Sequence, residues 1–135
     1  MLTRFGVSID EKLLGRFDKL LAQSGYENRS EAFRDLIRAR LVQEEVADEE
    51  ARVLGVLSLV YDHHQRELEK RLNDIQHEFH RSVISATHVH VDHHTCLQVV
   101  LLKGKAGDLR KISTSLGNLK GVKHSGLSLT LAQGL

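Results

Sequence analysis

The sequence predicts an α+β protein in which a strand-helix-helix segment precedes a split βαβ domain, and three observations support this prediction. Apolar residues alternate over residues 4–10 and then repeat at helical spacing in two stretches up to about residue 41. From residue 53 the pattern changes to strand-helix-strand-strand-helix-strand. The acidic stretch EEVADEEA separates the two patterns, so we expect domains at 1–47 and 52–135.

The first segment is too small to bury its own apolar residues. In RFGVSID every second residue is apolar, which indicates a short strand with one apolar face and one polar face. Asp10 is placed to cap a first helix that ends at Gly25, and Ser30 is placed to cap a second helix. Because a single strand has two unpaired edges, we expect the segment to form an intertwined dimer with a second copy of itself.

The second part has the order of an antiparallel sheet with two helices on one face. The second of these helices is expected to be capped near Gly107 or Asp108. The predicted elements are strands over 53–61, 83–91, 96–103 and 122–131, and helices over 64–80 and 106–119.

Composition narrows the classes of function. The formal charge is only +1, so no overall field marks a nucleic-acid or membrane binder, and any such contact must be local. No apolar run approaches the roughly 20 residues that span a bilayer, and the first residues lack the apolar core of a signal peptide. With a single cysteine and no internal disulfide to form, a cytoplasmic protein without membrane contact is the expectation.

The polar face of the first strand is a candidate DNA-binding surface. Two such strands would make an antiparallel ribbon, which fits the major groove of DNA. The start of the second helix, with its free backbone N–H groups, suits a phosphate. Charge does not decide against a plain dimerisation module, because residues 1–46 hold eight basic and eight acidic residues. The candidate contacts are Arg4, Gly6 and Ser8 on the strand and Asn28, Arg29 and Ser30 at the helix start.

A candidate metal site lies in THVHVDHHTC, which holds four of the nine histidines and the only cysteine. His88 and His90 are two residues apart and share one face of a strand. If Cys96 pairs opposite His90, then Gln98 lies opposite His88 and all four side chains project from one face. Two imidazoles and a thiolate are three ligands, whereas a structural zinc site has four, so a fourth ligand must come from elsewhere.

Both parts carry motifs of a known family. RFGVSIDEKLLGRFDKLL followed by YENRSEAFRDLIR resembles the ribbon-helix-helix DNA-binding module. THVHVDHHTC with the downstream LLKGKAGD resembles the regulatory domain of the nickel-responsive transcriptional regulators, NikR. The resemblance covers almost the whole chain and implies a ferredoxin-like, ACT-like βαββαβ second domain. It also implies a homotetramer, a dimer of dimers, in which DNA-binding dimers flank a core of four ACT-like domains and bind palindromic half-sites of double-stranded operator DNA.

The same resemblance implies a nickel-responsive transcriptional regulator that represses nickel uptake and binds its operator more tightly when Ni(II) is bound across the tetramer interface.

 For that family the ligands are three nitrogens and one sulfur in a square plane, with one Ni(II) per subunit. On this chain they correspond to His88, His90 and Cys96, with His77 supplied by a neighbouring subunit. Planar N and S ligation suits Ni(II) and also Cu(II), so the spacing of the ligands does not select the metal by itself.

Three further residues take roles in this picture. Gln98, beside the proposed ligands, is expected to orient one of them. Glu31 and Asp35 lie one turn apart on the second helix and match positions where the family holds a further cation such as potassium. A solvated acidic face is the alternative for this pair.

Other classes of function explain less of the sequence. A repressor that senses copper, zinc or a small molecule would account for the ribbon, but a small molecule leaves the histidines unexplained. A zinc-dependent hydrolase could use His88, His90 and Cys96 with a water as fourth ligand. No paired acid and base accompanies them, and the DNA-binding ribbon would have no role in an enzyme, so we expect a regulator that is not an enzyme.

Overall fold

The structure is a computed structural model that describes residues 1–133. The chain divides into two units, Met1–Leu41 and Val42–Leu135. Residues 134 and 135, which end the predicted second domain, lie outside the described residues. No helix of residues 1–133 is both long enough and apolar enough to cross a membrane.

The first helix has the ends that the sequence predicts. Helix α1 spans Glu11–Ser24, and the Asp10 carboxylate accepts a hydrogen bond from the backbone N–H of Leu13 at 2.9 Å. The helix ends at Gly25, whose φ of 77° lies in the left-handed region that glycine adopts without strain. Both ends are therefore set by local sequence, the first by a capping side chain and the second by a glycine.

The predicted cap at Ser30 is wrong, because the second helix begins two residues earlier than a cap at Ser30 would require. Helix α2 spans Arg29–Val46 and extends into the acidic stretch that was expected to be a connector. Asn28 Oδ1 accepts a hydrogen bond from the backbone N–H of Glu31 at 2.9 Å. The capping residue is thus Asn28, because its side chain reaches the free N–H group of the first turn.

Residues 4–10 do not form the predicted strand within one chain. Residues 1–10 have no strand assignment, and every one of them is exposed, including Phe5 and Val7 at 66% and 56%. The hydrogen bonds of a ribbon come from a second strand, and the described part of this chain offers no such strand in the first unit. Only Leu21 and Ala32 are buried in Met1–Leu41, so this unit has almost no core of its own.

The second unit has the predicted order of elements. Its four strands form one antiparallel sheet in the order β2-β3-β1-β4. The α+β fold with a split βαβ domain is confirmed for this part of the chain. The elements are β1 (Arg52–Asp62), α3 (Arg66–Glu78), β2 (Val83–His90), β3 (Thr95–Lys105), α4 (Ala106–Gly117) and β4 (Val122–Leu131).

Helices α3 and α4 contribute to a single core with one face of the sheet. Alternate residues of the central strands β1 and β3 point into this core, as the period of two in a strand requires. Among the described residues, no helix joins the core cluster from the opposite face of the sheet. On that face Val56 is 46% exposed and Leu101 is 40% exposed. The core includes Leu57, Leu59, Val100 and Leu102 from the strands and Leu68, Leu72, Leu109, Ile112 and Leu116 from the helices.

Helix α4 begins at Ala106 as predicted, but the predicted cap at Gly107 or Asp108 is wrong, and no side chain caps the helix. Lys105 occupies the capping position and makes no side-chain cap hydrogen bond. Instead, the backbone N–H groups of Ala106 and Gly107 donate to the carbonyls of Ala51 and Glu49, both at 2.9 Å. The residues just before β1 thus satisfy the first turn of α4, which a local sequence pattern cannot show.

Candidate metal centre

The pairing of β2 with β3 brings the predicted ligands to one face of the sheet. His90 lies opposite Cys96 and His88 opposite Gln98, which is the register that the sequence analysis required. Cys96 is fully buried and Gln98 is 6% exposed, and both face the helix-covered side. Tyr61 lies opposite Cys96 on the other neighbouring strand, β1. The thiol is therefore enclosed by two strands.

The thiol and the two imidazoles lie close together. Cys96 Sγ is 3.8 Å from His90 Nδ1, and the rings of His88 and His90 stack with centroids 5.2 Å apart. Burial, the larger cause, and the carboxylates of Glu69 and Asp62 raise the pKa of the Cys96 thiol. A raised pKa keeps the thiol protonated in the absence of a metal ion, so binding as a thiolate must release that proton.

Three residues that sequence analysis did not assign to the site also face these ligands. His88 Nε2 lies 3.3 Å from the Tyr61 hydroxyl and 3.8 Å from Glu69 Oε1. Burial, with a smaller effect of Glu69, raises the pKa of Tyr61 to about 12. His63 is half-buried, and its Nδ1 has no hydrogen-bond partner among the described residues.

The potential ligand atoms form two overlapping groups that share Cys96. One group contains His63 and His90, and the other contains Glu69 and His88. Within each group the ligand atoms all lie within 4.8 Å of one another. Tyr61 and His63 continue the alternation of inward residues along β1, which is a signal in the sequence, whereas nothing in the sequence distinguishes Glu69 from other acidic residues of α3.

His77 does not join this cluster within one chain. It is exposed on α3, and its ring lies near His80, with centroids 6.4 Å apart. The neighbouring Gln76 contacts the site instead, because its Nε2 donates a hydrogen bond to Gln98 Oε1 at 3.2 Å. One chain therefore brings together three of the four predicted ligands.

The predicted DNA contacts lie in the first unit and differ in their surroundings. Arg4, Gly6 and Ser8 are all exposed. Ser30 is exposed as well, whereas the Asn28 side chain caps α2. These positions are available to a ligand, apart from the cap that Asn28 supplies.

Arg29 and Asp35 already have protein partners. Arg29 donates two hydrogen bonds to the Asp18 carboxylate, from Nε at 2.9 Å and from Nη2 at 2.8 Å. Asp35 accepts a hydrogen bond from the Tyr26 hydroxyl at 2.7 Å and pairs with Arg38 at 3.4 Å. Among the described residues no group of three ligands includes Glu31 and Asp35, and the extra cation there stays a prediction.

Comparison with known proteins decides the family. The model of the NikR C-terminal nickel binding domain matches residues 54–130, and that of the ribbon-helix-helix proteins of the copG family matches residues 3–44. The chain belongs to the NikR family. The two matches correspond to the two parts that the sequence pattern separated.

Relatives of NikR type align along nearly the whole chain. A provisionally named nickel-responsive regulator of Geobacter sulfurreducens is 56% identical over 94% of this chain and 91% of its own length. One from Solibacter usitatus is 51% identical over 96% of this chain and 93% of its own length. A solved structure of an uncharacterized protein from Thermotoga maritima covers 58% of this chain and 96% of that chain, with a TM-score of 0.53 and 16% identity. This last likeness concerns the fold alone.

The residues at the NikR-type site fit a nickel ion chemically. A thiolate with imidazoles is a donor set that late divalent transition metals such as nickel prefer over Mg²⁺ or Ca²⁺. Cys96 is the only sulfur within either group of potential ligands, and each group also contains imidazole nitrogen. The half-buried Nδ1 of His63, which lacks a partner, adds a further nitrogen at the same place.

Proposed function

We propose that this nickel-responsive transcriptional regulator binds operator DNA more tightly when Ni(II) is held at Cys96, and that it represses genes of nickel uptake. The observation that carries the proposal is the buried Cys96, which lies opposite His90 and beside His88 on the helix-covered face of the sheet. A family of regulators points to a binding function rather than a catalytic one. Because such a regulator acts on chromosomal DNA, we place it in the cytoplasm.

His88, His90 and Cys96 would hold one nickel ion per subunit. When bound, a nickel ion would bring these ligands together at one position. The fourth ligand in this proposal is His77 of a neighbouring subunit, since His77 is exposed on α3 and belongs to neither group of potential ligands around Cys96 in its own chain. Gln98 joins α3 to the site through Gln76, so Gln98 would position the helix that carries His77.

The proposed assembly is a homotetramer, and the exposed apolar residues support it. In the first unit Phe5, Val7 and Leu36 are more than half exposed, which is costly for apolar side chains unless a second copy covers them. In the second unit the outward face of the sheet is also apolar, at Val56 and Leu101. Two separate surfaces that need a partner are what a dimer of dimers would use.

A ribbon of two strands, one from each subunit of a dimer, would present the polar residues of the first segment to the major groove. Arg4 can donate two hydrogen bonds to guanine, Ser8 is a short adaptable donor and acceptor, and Gly6 lets the backbone approach. Asn28, Arg29 and Ser30 at the start of α2 would contact phosphate. Two dimers on one tetramer would then engage the two half-sites of a palindromic operator.

Metal would control DNA binding by ordering helix α3 and by favouring one arrangement of the subunits. A ligand shifts an equilibrium between states only by its different affinity for them. If His77 of one subunit completes the site of another, nickel binds best to the arrangement of subunits that brings His77 to the other three ligands. That arrangement would be the one in which both dimers meet their half-sites.

The test replaces Cys96 with Ala and uses His80→Ala as the matched control. His80 is an exposed histidine that lies outside both groups of potential ligands around Cys96. We expect Cys96→Ala to weaken nickel binding by more than 100-fold and to remove the nickel-dependent gel shift of upstream DNA, with far-UV circular dichroism unchanged. His80→Ala should behave like the wild type. Nickel-dependent DNA binding that survives in Cys96→Ala would refute the site.

A second variant separates the two units. Arg4→Ala should weaken binding of specific DNA by about 1–3 kcal/mol, because one pair of hydrogen bonds to a base is lost. Nickel affinity measured by calorimetry without DNA should stay at the wild-type value. A matching loss of nickel affinity would contradict the division of labour between the two units.

A further inference from the structure

Glu69 is the acidic residue of α3 that reaches the Cys96 site. It lies in the first turn of the helix together with Glu67, but Glu67 is exposed whereas Glu69 is half-buried. Glu69 Oε1 is 3.8 Å from His88 Nε2, and a carboxylate oxygen of Glu69 lies within 4.8 Å of Cys96 Sγ. Among the described residues, His88 is its one ion-pair partner. The contact therefore joins α3 to a proposed nickel ligand.

A carboxylate at this place opposes the ionisation of the other groups around it. Burial is the larger cause of the raised pKa of Tyr61 and of the Cys96 thiol, and the charge of Glu69 adds to both. A negative charge beside a thiol makes the thiolate harder to form. Glu69 would thus hinder nickel binding unless another ligand gained from it, and the ligand that it faces is His88.

The two ring nitrogens of His88 can take different roles. Nε2 lies 3.3 Å from the Tyr61 hydroxyl and faces Glu69 Oε1. A neutral imidazole carries its proton on one nitrogen and offers the other nitrogen to a metal ion. A carboxylate near Nε2 favours the form with the proton on Nε2, because that N–H dipole then points at the negative charge. This form leaves Nδ1 free to bind an ion.

A second polar contact attaches α3 to the same part of the sheet. Gln76 Nε2 donates a hydrogen bond to Gln98 Oε1 at 3.2 Å, and Gln98 lies opposite His88 in the pairing of β2 with β3. Glu69 and Gln76 lie about two turns apart on one face of the helix. Helix α3 is thus attached to both members of this cross-strand pair, and the residue after Gln76 is His77.

We propose that Glu69 is a positioning residue for nickel, which holds the His88 ring in the form that binds through Nδ1 and ties this ligand to α3. The inference rests on the proposed function, because it assigns Glu69 to the same nickel site. A histidine that binds a metal ion usually donates its second ring N–H to such a group, and loss of that group lowers metal affinity about 10–100-fold. Since Glu69 and His77 lie on one helix, the contact would also couple the geometry at His88 to the ligand offered to a neighbouring subunit.

The first test follows the His88 ring in the metal-free, full-length protein by proton–nitrogen NMR correlation spectra of the histidine rings. A sample of His88→Gln assigns the signals of this ring. The wild type should carry the proton on Nε2, and Glu69→Ala should shift the ring toward a mixture of both forms. Glu67→Ala is the matched control, since it removes an exposed carboxylate from the same turn of α3 and should keep the wild-type signals. An unchanged His88 ring in Glu69→Ala would overturn the proposal.

The second test titrates the same variants with Ni(II) by calorimetry and follows the thiolate-to-nickel charge-transfer absorption. Glu69→Ala should lower the affinity about 10–100-fold. Glu69→Gln keeps a hydrogen-bond acceptor at the same place and should bind nickel more tightly than Glu69→Ala. Glu67→Ala should match the wild type. The absorption at saturating nickel should persist in every variant of Glu69, because Cys96 is unchanged.

The outcomes separate this inference from the proposed function. Unchanged nickel affinity in Glu69→Ala, together with its loss in Cys96→Ala, would overturn the role of Glu69 alone. Unchanged affinity in both variants would overturn the proposed function as well. Loss of the absorption in Glu69→Ala would make Glu69 a ligand instead of a positioning residue. An equal loss of affinity in Glu67→Ala would assign the effect to the charge of the first turn and also overturn the proposal.

Discussion

Arg29 shows how a side chain at a helix start can have a structural partner and a proposed ligand at the same time. Its guanidinium donates two hydrogen bonds to Asp18, so α2 is connected to α1. Two parallel bonds to one carboxylate fix the plane of the guanidinium and its position. The sequence analysis assigned Arg29 to phosphate binding from its place in the first turn of α2. In the structure its first role is to hold the two helices of the first unit together.

The ion pair predicts a pH-dependent difference between the wild type and Asp18→Asn. The hydrogen bond from Arg29 lowers the pKa of Asp18 below its ordinary value of 3.8 in the folded state. Its contribution to stability is therefore complete above that value and is lost as the pH falls through the lower, folded-state pKa. Thermal unfolding should show a lower melting temperature for Asp18→Asn at pH 7 and no difference in strong acid.

The matched control for this prediction is Glu27→Gln, another exposed carboxylate of the same unit. It should leave the melting temperature at pH 7 close to the wild-type value. A difference between the wild type and Asp18→Asn that stays constant down to acid pH would show that the pair is not its cause.

At the scale of the elements, the close packing of α4 on the sheet depends on Gly55 in the middle of β1. A Cβ atom at this position would lie 3.1 Å from Leu109 Cδ1 and 3.3 Å from Leu129 Cδ2. Leu109 is fully buried, so its side chain has little room to move. The glycine therefore lets the helix and two strands approach one another.

We expect Gly55→Ala to lower the free energy of unfolding by about 1–3 kcal/mol, because the added methyl overpacks the core. The measurement is urea unfolding of the metal-free protein. Gly126→Ala on β4 is the matched control, since a Cβ there meets only Ser58 Oγ at 3.5 Å, an ordinary contact. A similar loss in both variants would mean that the change comes from glycine in a strand and not from the contact with Leu109.

In the second unit, the elements whose apolar residues follow a regular period were the ones that the sequence predicted well. The strands and helices of the second unit lie within two residues of their predicted ends, and the register that places Cys96 opposite His90 follows from the alternation. A helix cap that depends on distant backbone was not predictable, such as the capping of α4 by the carbonyls of Ala51 and Glu49. Glu69 was missed for the same reason, because its place beside His88 follows from how α3 packs on the sheet.

At the scale of the whole molecule, both units leave apolar residues uncovered. Phe5 and Val7 are mostly exposed in the first unit, and the outward sheet face exposes Val56 and Leu101 in the second. Soluble chains seldom leave contiguous apolar patches in water, and such patches mark interaction surfaces. The homotetramer that we propose would cover both surfaces with copies of the same chain.

The outward sheet face gives a direct test of this assembly. Leu101→Glu should reduce the mass in solution from a tetramer to a smaller species, because a carboxylate would have to be buried in an apolar interface. Lys111→Glu on α4, also exposed, is the matched control and should leave the mass unchanged. Sedimentation equilibrium measures both variants. A tetramer that persists in Leu101→Glu would place the contact between subunits elsewhere.

The proposed coupling between nickel binding and DNA binding must be reciprocal, and this gives a prediction for the whole molecule. If nickel raises the affinity for operator DNA by some factor, operator DNA must raise the affinity for nickel by the same factor, typically about 5–150-fold. Calorimetry of nickel binding with and without a saturating operator duplex gives one factor, and gel shifts with and without nickel give the other. A scrambled duplex of equal length is the control and should leave nickel affinity unchanged.

Arg4→Ala should weaken DNA binding in both states and leave the factor itself intact, since Arg4 would contact DNA equally with and without metal. Unequal factors would mean that the two measurements involve different assemblies of the chain, and the linkage through His77 would then fail.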